Sequence, residues 1–138
     1  MSTYVDSSVL LRCVLGEPGA LRLADLDPGH TSALAEVECL RTLDRIHRKG
    51  RLSADDLATR RGAIFDVLDA LEVVGLSRPV LRRAAEPFPT PLGTMDALHL
   101  ATALLWRERH PRGGAALATH DVELARAARA CGLDVVGI

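Results

Sequence analysis

The sequence predicts an α/β fold, a central and mostly parallel sheet of about four or five strands covered by helices. Three observations lead there. Short runs of strand length at residues 3–5, 72–76, 115–119 and 134–136 alternate with stretches of helical periodicity, the pattern of consecutive βα units. The stretch GTMDALHLATALLW, residues 93–106, is apolar at eight of the ten positions from 97 to 106, and a helix apolar nearly all round is buried at the centre of its domain. Acidic residues recur where a strand hands over to a helix, at Asp6 and Asp121, on the rim where open α/β sheets bind ligands.

Length and composition bound the rest. The 138 residues suit a single domain, 1–138, with one real core. At 48% hydrophobic and 25% charged residues the chain is neither disordered nor fibrous. No apolar run reaches the ~18 residues of a membrane span. The N-terminus MSTYVDSSVLLRC sets an acid inside its short apolar run with no basic lead, so no signal peptide is expected. Cys13, Cys39 and Cys131 form no CxxC pair and are odd in number, which predicts free, buried thiols in a reducing cytoplasm. The net charge of −1 gives no global attraction for nucleic acid. Four aromatic residues (Tyr4, Phe65, Phe88, Trp106) are too few for a base-stacking platform. Of 17 basic residues only Lys49 is lysine. Arginine is the better fork for phosphate, although a GC-rich genome produces the same bias.

In chain order, residues 3–5 read as a strand ending at Asp6, with Ser7 and Ser8 capping a helix to about Leu15. Gly16, Pro18 and Gly19 break it, a second short helix is expected over 20–26, and Asp27-Pro28-Gly29 makes a turn. Thr31 or Ser32 then caps a long helix to Lys49, closed by Gly50 at the position where a left-handed residue ends a helix. Ser53 with Asp56 is a capping box and Leu52 with Leu57 a hydrophobic staple. The buried stripe of that helix is Leu57, Ile64, Phe65, Leu68 and Leu71. Residues 72–76 are strand-like and 79–85 helical, and EPFPTPLG (86–93), with three prolines, is an extended loop. Thr94 is the expected N-cap of the buried helix, which ends near His110-Pro111. A short strand over 115–119, a helix opened by Asp121 and stopped by Gly132, and a last strand over 134–136 complete the chain.

The candidate site is a set of acids. Asp6 and Asp121 follow strands, and Asp96 lies in the first turn of the buried helix with His99 three residues on, on the same face. Singly, each is an ordinary helix-start acid. Together they share one rim. Glu36 and Glu38, on the helix that starts near Ser32, lie among Leu34, Val37, Leu40 and Leu43, and periodicity does not say which faces inward. Converging carboxylates repel and raise one another's pKa unless a cation stands between them, and oxygen-only ligation suits Mg²⁺ or Mn²⁺ rather than zinc. The five histidines show no HxxxH or HExxH spacing. His99 is a helix histidine beside the site, or a partner of Asp96 that orients it. An acidic metal site can activate water and neutralise a phosphodiester. There is no GxSxG, Walker A or GxGxxG motif.

Four segments in order, YVDSSVLLR, TSALAEVECLR, TMDALHLATAL and ATHDVELARAA, resemble the PIN-domain ribonucleases, and among them the VapC toxins of type II toxin–antitoxin pairs. The resemblance spans essentially the whole chain and implies a three-layer α/β/α fold. Position by position it implies Asp6, Glu38, Asp96 and Asp121 as the catalytic acids, with Asp6, Asp96 and Asp121 as metal ligands. Glu36 falls where the family places other residues, and Thr119 matches a hydroxyl that often precedes the fourth acid. Ser7, His99 and Thr119 are then the residues expected to support the acids. The resemblance also implies a Mg²⁺/Mn²⁺-dependent endoribonuclease cutting RNA with activated water. It further implies a homodimer and a VapB-like antitoxin whose arginine is drawn into the acidic pocket.

Residues 41–51 pack five Lys/Arg with one acid. These cations suit the C-terminal end of a helix dipole. They also offer, at Arg41, Arg45, Arg48 and Lys49, an edge for RNA phosphates. Two other readings of the acids are a non-catalytic partner protein with an acidic rim, and a phosphohydrolase with Asp6 as nucleophile. The second is poor because Ser8 stands where such enzymes carry another Asp.

Overall fold

The computed structural model describes residues 2–138. Five strands, β1 (Thr3–Val5), β2 (Gly29–Ser32), β3 (Glu72–Val74), β4 (Ala116–Ala118) and β5 (Asp134–Val136), form one sheet in the order β3-β2-β1-β4-β5. Every pairing is parallel. The helices are α1 (Ser7–Leu15), α2 (Ala33–Arg48), α3 (Ala54–Asp69), α4 (Arg78–Ala84), α5 (Thr94–Arg109) and α6 (Val122–Ala130).

Successive side chains of a strand point to opposite faces, and the two layers follow from that. Val5 and Ala118 face a cluster with Val9, Leu10, Cys39, Leu43 and Ile64, which seats α1, α2 and α3 on one side. Tyr4 and Leu117 face Leu100, Leu104, Leu124 and Ala127, which seats α5 and α6 on the other, and α4 packs on α5. The fold is a three-layer α/β/α sandwich. The chain builds β2 and β3 on one side of β1, then crosses to build β4 and β5 on the other. Order therefore reverses between β1 and β4, and the crevice at the carboxyl ends of those two strands is the place for a ligand.

Most elements stand where the sequence puts them. Ser32 caps α2 by accepting from the Leu34 N–H at 3.1 Å, and Ser53 caps α3 by accepting from that of Asp56 at 3.1 Å. Gly50 takes the left-handed conformation just after α2, with φ of 75°. Four expectations need correction. The helix expected over 20–26 is a single 3-10 turn, Leu23–Leu26, where Arg22 at its start is extended and supplies no side-chain cap. Gly29, expected in a turn, opens β2, and a Cβ there would lie 2.7 Å from Leu71 Cδ2 and 3.0 Å from the Leu26 carbonyl. Phe65 is exposed, because the buried stripe of α3 runs through Ile64 and Leu68. Of the three free thiols only Cys39 is buried, and Cys13 and Cys131 are half-buried.

Candidate active site

Asp6 holds the N-cap position of α1, yet its side chain makes no capping bond. It is 3% exposed, and a buried carboxylate needs donors. Ser8 donates to Oδ2 at 2.7 Å, Thr119 to the same oxygen at 2.9 Å, and Ser7 to Oδ1 at 3.4 Å. The expected capping role of Ser7 and Ser8 thus gives way to service of the Asp6 carboxylate. Ser8 is the stronger donor, and it also accepts from the His120 N–H at 3.0 Å. Its value to the site was readable only as position two after an acid.

Asp121 behaves differently. Its Oδ1 caps α6, accepting from the Glu123 and Leu124 N–H groups at 2.9 and 3.0 Å. Its own N–H donates to Thr119 Oγ1 at 3.0 Å, so one hydroxyl ties Asp121 to Asp6. The capping and site-forming readings of this acid coexist, since capping uses only one of its oxygens.

Asp96 lies in the first turn of α5, whose N-cap is Gly93 rather than the expected Thr94, with no side-chain capping bond. Burial raises its carboxyl from 3.8 to about 6, and the charges of Asp121, Asp6 and Glu38 add to the rise against the opposing effect of His99. Burial is the larger cause, and the smaller contributions of the other acids arise because these groups share one electrostatic neighbourhood.

His99 is fully buried. Its Nε2 donates to Glu38 Oε1 and stands 3.5 Å from Asp6 Oδ1, while Nδ1 meets the Tyr4 hydroxyl at 2.5 Å. Burial pushes the imidazole pKa down, but the Glu38 hydrogen bond and the charges of Asp6, Glu38 and Asp96 outweigh it and hold it above the ordinary value. The bonded partner of His99 is therefore Glu38, not Asp96 as its spacing suggested. The contact also separates Glu38 from Glu36, which periodicity could not do. Tyr4, at 0% exposure in β1, is a site residue that sequence reasoning missed. It reads as a core aromatic, and only the fold sets its hydroxyl against His99.

The acids fit a hard divalent cation in charge and in chemistry, as an all-oxygen set whose repulsion is expressed in Asp96. They are not closed around a point. Among the described residues no three His, Cys, Asp or Glu side chains stand as a ready metal-binding group. Glu38 is bonded to His99 through one oxygen and Asp6 to hydroxyls mainly through one oxygen, so each carboxylate keeps acceptor sites for a cation.

A groove of about 370 Å³ leads away from the acids, with Ser8, Arg12, Glu17, Thr42, His120 and Asp121 among the residues that line it. Arg45 reaches its edge, donating to Thr42 Oγ1 at 3.1 Å. Arg41 and Arg48 turn instead to Asp44, at 3.8 and 3.0 Å. Beyond Asp96, α4, the proline loop and the start of α5 enclose an apolar pocket of about 720 Å³ that includes Leu81, Phe88, Leu92 and Leu98. Among the described residues, no helix is long and apolar enough to cross a membrane.

Comparison with known proteins agrees with this architecture. The PIN domain model matches residues 3–130. Ribonuclease VapC46 of Mycobacterium tuberculosis (strain ATCC 25618 / H37Rv) is 32% identical over 137 residues, covering 96% of this chain and 95% of that protein. Ribonuclease VapC47 of the same species (strain CDC 1551 / Oshkosh) is 32% identical over 108 residues, 72% of this chain and 73% of that one. Among solved structures, a toxin-antitoxin complex from Klebsiella pneumoniae superposes with a TM-score of 0.66 at 18% identity, covering 98% of this chain and 96% of that one. PAE2754 from Pyrobaculum aerophilum gives 0.63 at 20%, covering 99% and 91%. VapBC2 from Rickettsia felis, bound to a DNA fragment from their promoter, gives 0.64 at 16%, covering 98% and 97%. Matched from β1 to the end of α6 and akin over nearly its whole length to a VapC ribonuclease, the chain belongs to the PIN-domain family.

Proposed function

We propose that this chain is a divalent-metal-dependent endoribonuclease, the toxin of a toxin–antitoxin pair, acting in the cytoplasm as one domain over residues 1–138. The observation that carries the reading is the meeting of the acids at the carboxyl ends of β1 and β4, where Thr119 Oγ1 joins Asp6 to Asp121 and His99 Nε2 stands between Glu38 and Asp6, with the Asp96 carboxyl pushed up mainly by burial. Four acids from distant parts of the sequence repel one another there, and a cation relieves that repulsion. Asp6, Asp96 and Asp121 would hold Mg²⁺ or Mn²⁺, with Glu38 the fourth acid of the site. The chemistry such an ion supplies is neutralisation of a phosphodiester and activation of water. Ser8 and Thr119 fix Asp6, His99 sets Glu38, and the groove toward Arg45 offers the RNA backbone a path. Its similarity to proteins named as ribonucleases supports this substrate class.

The apolar pocket beside Asp96 suits the apolar face of an antitoxin segment of VapB type, with a basic side chain turned to the acids. The Klebsiella neighbour, a toxin-antitoxin complex, supports that partner. A homodimer is part of the same proposal, with exposed Val73 and Leu76 as apolar surface for a second copy to cover. The test is cleavage of a total RNA pool with Mn²⁺, with EDTA, and with Asp96→Asn. Cleavage in the first arm alone supports the enzyme. An intact pool, with tight binding of a basic antitoxin peptide, would instead mark a non-catalytic partner protein.

A further inference from the structure

Asp6 stands on hydroxyls and Asp121 on a helix cap, whereas Glu38 stands on a side chain that is itself held from below. Glu38 comes from α2, His99 from α5 and Tyr4 from β1, so three elements meet in one chain of contacts. A carboxylate only accepts, so the ring nitrogen facing Glu38 must carry a hydrogen. Tyr4 serves either state of the ring. Its hydroxyl donates to Nδ1 of the neutral imidazole and accepts from Nδ1–H of the imidazolium. A tyrosine hydroxyl is a phenol at neutral pH, so it can take either part. Both Tyr4 and His99 are fully buried, and the ring also lies edge-on to Tyr4 with centroids 5.8 Å apart. The imidazole therefore has little freedom to swing, and its Nε2–H points at one place between Glu38 and Asp6.

We propose that Tyr4 and His99 are positioning residues for Glu38: the phenol fixes the imidazole, and the imidazole sets where the Glu38 carboxylate stands relative to Asp6. The proposal rests on the nuclease reading and adds to it a route by which a residue outside the acid cluster controls that cluster. His99 Nε2 also stands 3.5 Å from Oδ1 of Asp6, one of the proposed ligands, and residues that orient a ligating group cost about 10- to 100-fold in metal affinity or activity when removed.

Tyr4→Phe deletes one buried oxygen and keeps the ring, and a circular-dichroism melt verifies its fold. Isothermal titration with Mn²⁺ is expected to show affinity weakened about 10-fold. Initial rates are expected to show lower kcat with unchanged KM for RNA. His99→Leu loses more, and His99→Gln, whose amide can still donate to Glu38, recovers most of the loss. On the His99→Leu background Tyr4→Phe adds nothing further, because its route to Glu38 is gone. A merely structural tyrosine would give the same loss on both backgrounds, and that result overturns the proposal. So does a Tyr4→Phe protein with wild-type Mn²⁺ affinity. Wild-type protein that neither binds Mn²⁺ nor cleaves RNA removes the nuclease reading itself and this proposal with it.

Discussion

Thr119 Oγ1 donates to Asp6 Oδ2 at 2.9 Å, joining the ends of β4 and β1 across 113 positions of sequence. The same oxygen accepts from the Asp121 N–H at 3.0 Å, so one buried hydroxyl serves two acids. Thr119→Val keeps the shape and removes both bonds, leaving a buried carboxylate short of a donor. The expected cost is about 1–3 kcal/mol in urea unfolding, together with loss of RNA cleavage. Thr119→Ser should recover both. A valine variant as stable and active as wild type would show that Ser8 alone holds Asp6.

Asp96 makes the stability of the protein without added metal fall as pH rises. Its carboxyl stands near 6 when folded against 3.8 ordinarily. Between those values the folded chain keeps a proton that the unfolded chain has released, so stability declines across that window and the deficit persists above it. With the group half-exposed, solvent screening trims the effect to about 1 kcal/mol. Asp96→Asn should therefore be more stable than wild type at neutral pH in EDTA. Mn²⁺ at 100 times its Kd should stabilise wild type by about 2.7 kcal/mol and the variant by less. Thermal scans at pH 7 with EDTA and with Mn²⁺ check both signs, and an Asp96→Asn protein less stable in EDTA would contradict the repulsion.

Much of this geometry was legible in the sequence because it rests on local chemistry. The buried helix, the caps at Ser32 and Ser53, the left-handed Gly50 and the strand-end acids each follow from a few adjacent residues. What was not legible rests on distant contacts. β2 reads Gly-His-Thr-Ser, with no apolar residue, yet it lies in the sheet interior beside β1. Most of its polar atoms find partners there: Thr31 donates to the Val5 carbonyl at 2.6 Å, and His30 Nδ1 meets Ser2 Oγ at 2.7 Å, while His30 Nε2 is buried without a hydrogen-bond partner. Periodicity also kept Phe65 on the buried face of α3, where the helix turns it outward. The choice of Glu38 over Glu36 came from the family resemblance, and its physical reason, His99, lies 61 positions away.

His30 gives the opposite pH sign from Asp96. Burial lowers its pKa from 6.5 to about 4, with the His110 charge contributing, and its ring stacks on Trp106 at 4.0 Å. Between those values the unfolded chain takes up a proton that the folded chain refuses. This contribution to stability is full above about 6.5 and is lost as pH falls toward 4. His30→Gln should flatten the acid limb of a pH–stability curve followed by the fluorescence of the single tryptophan. An unchanged acid limb would place the titrating group elsewhere.

The cations of α2 should divide by where they point. Arg45 reaches Thr42 at the edge of the groove that runs from Asp121, whereas Arg41 and Arg48 are paired with Asp44. Each phosphate contact contributes close to one unit to the slope of log K against log salt. Arg45→Ala is therefore expected to lower that slope by about one in RNA binding at several salt concentrations. Arg48→Ala should change it little. Neither should shift stability by more than about 1 kcal/mol, since exposed pairs contribute little. Binding on Asp96→Asn protein keeps the RNA intact during the titration. Equal slopes for wild type and Arg45→Ala would move the RNA path away from Arg45, toward the arginines at the end of α5.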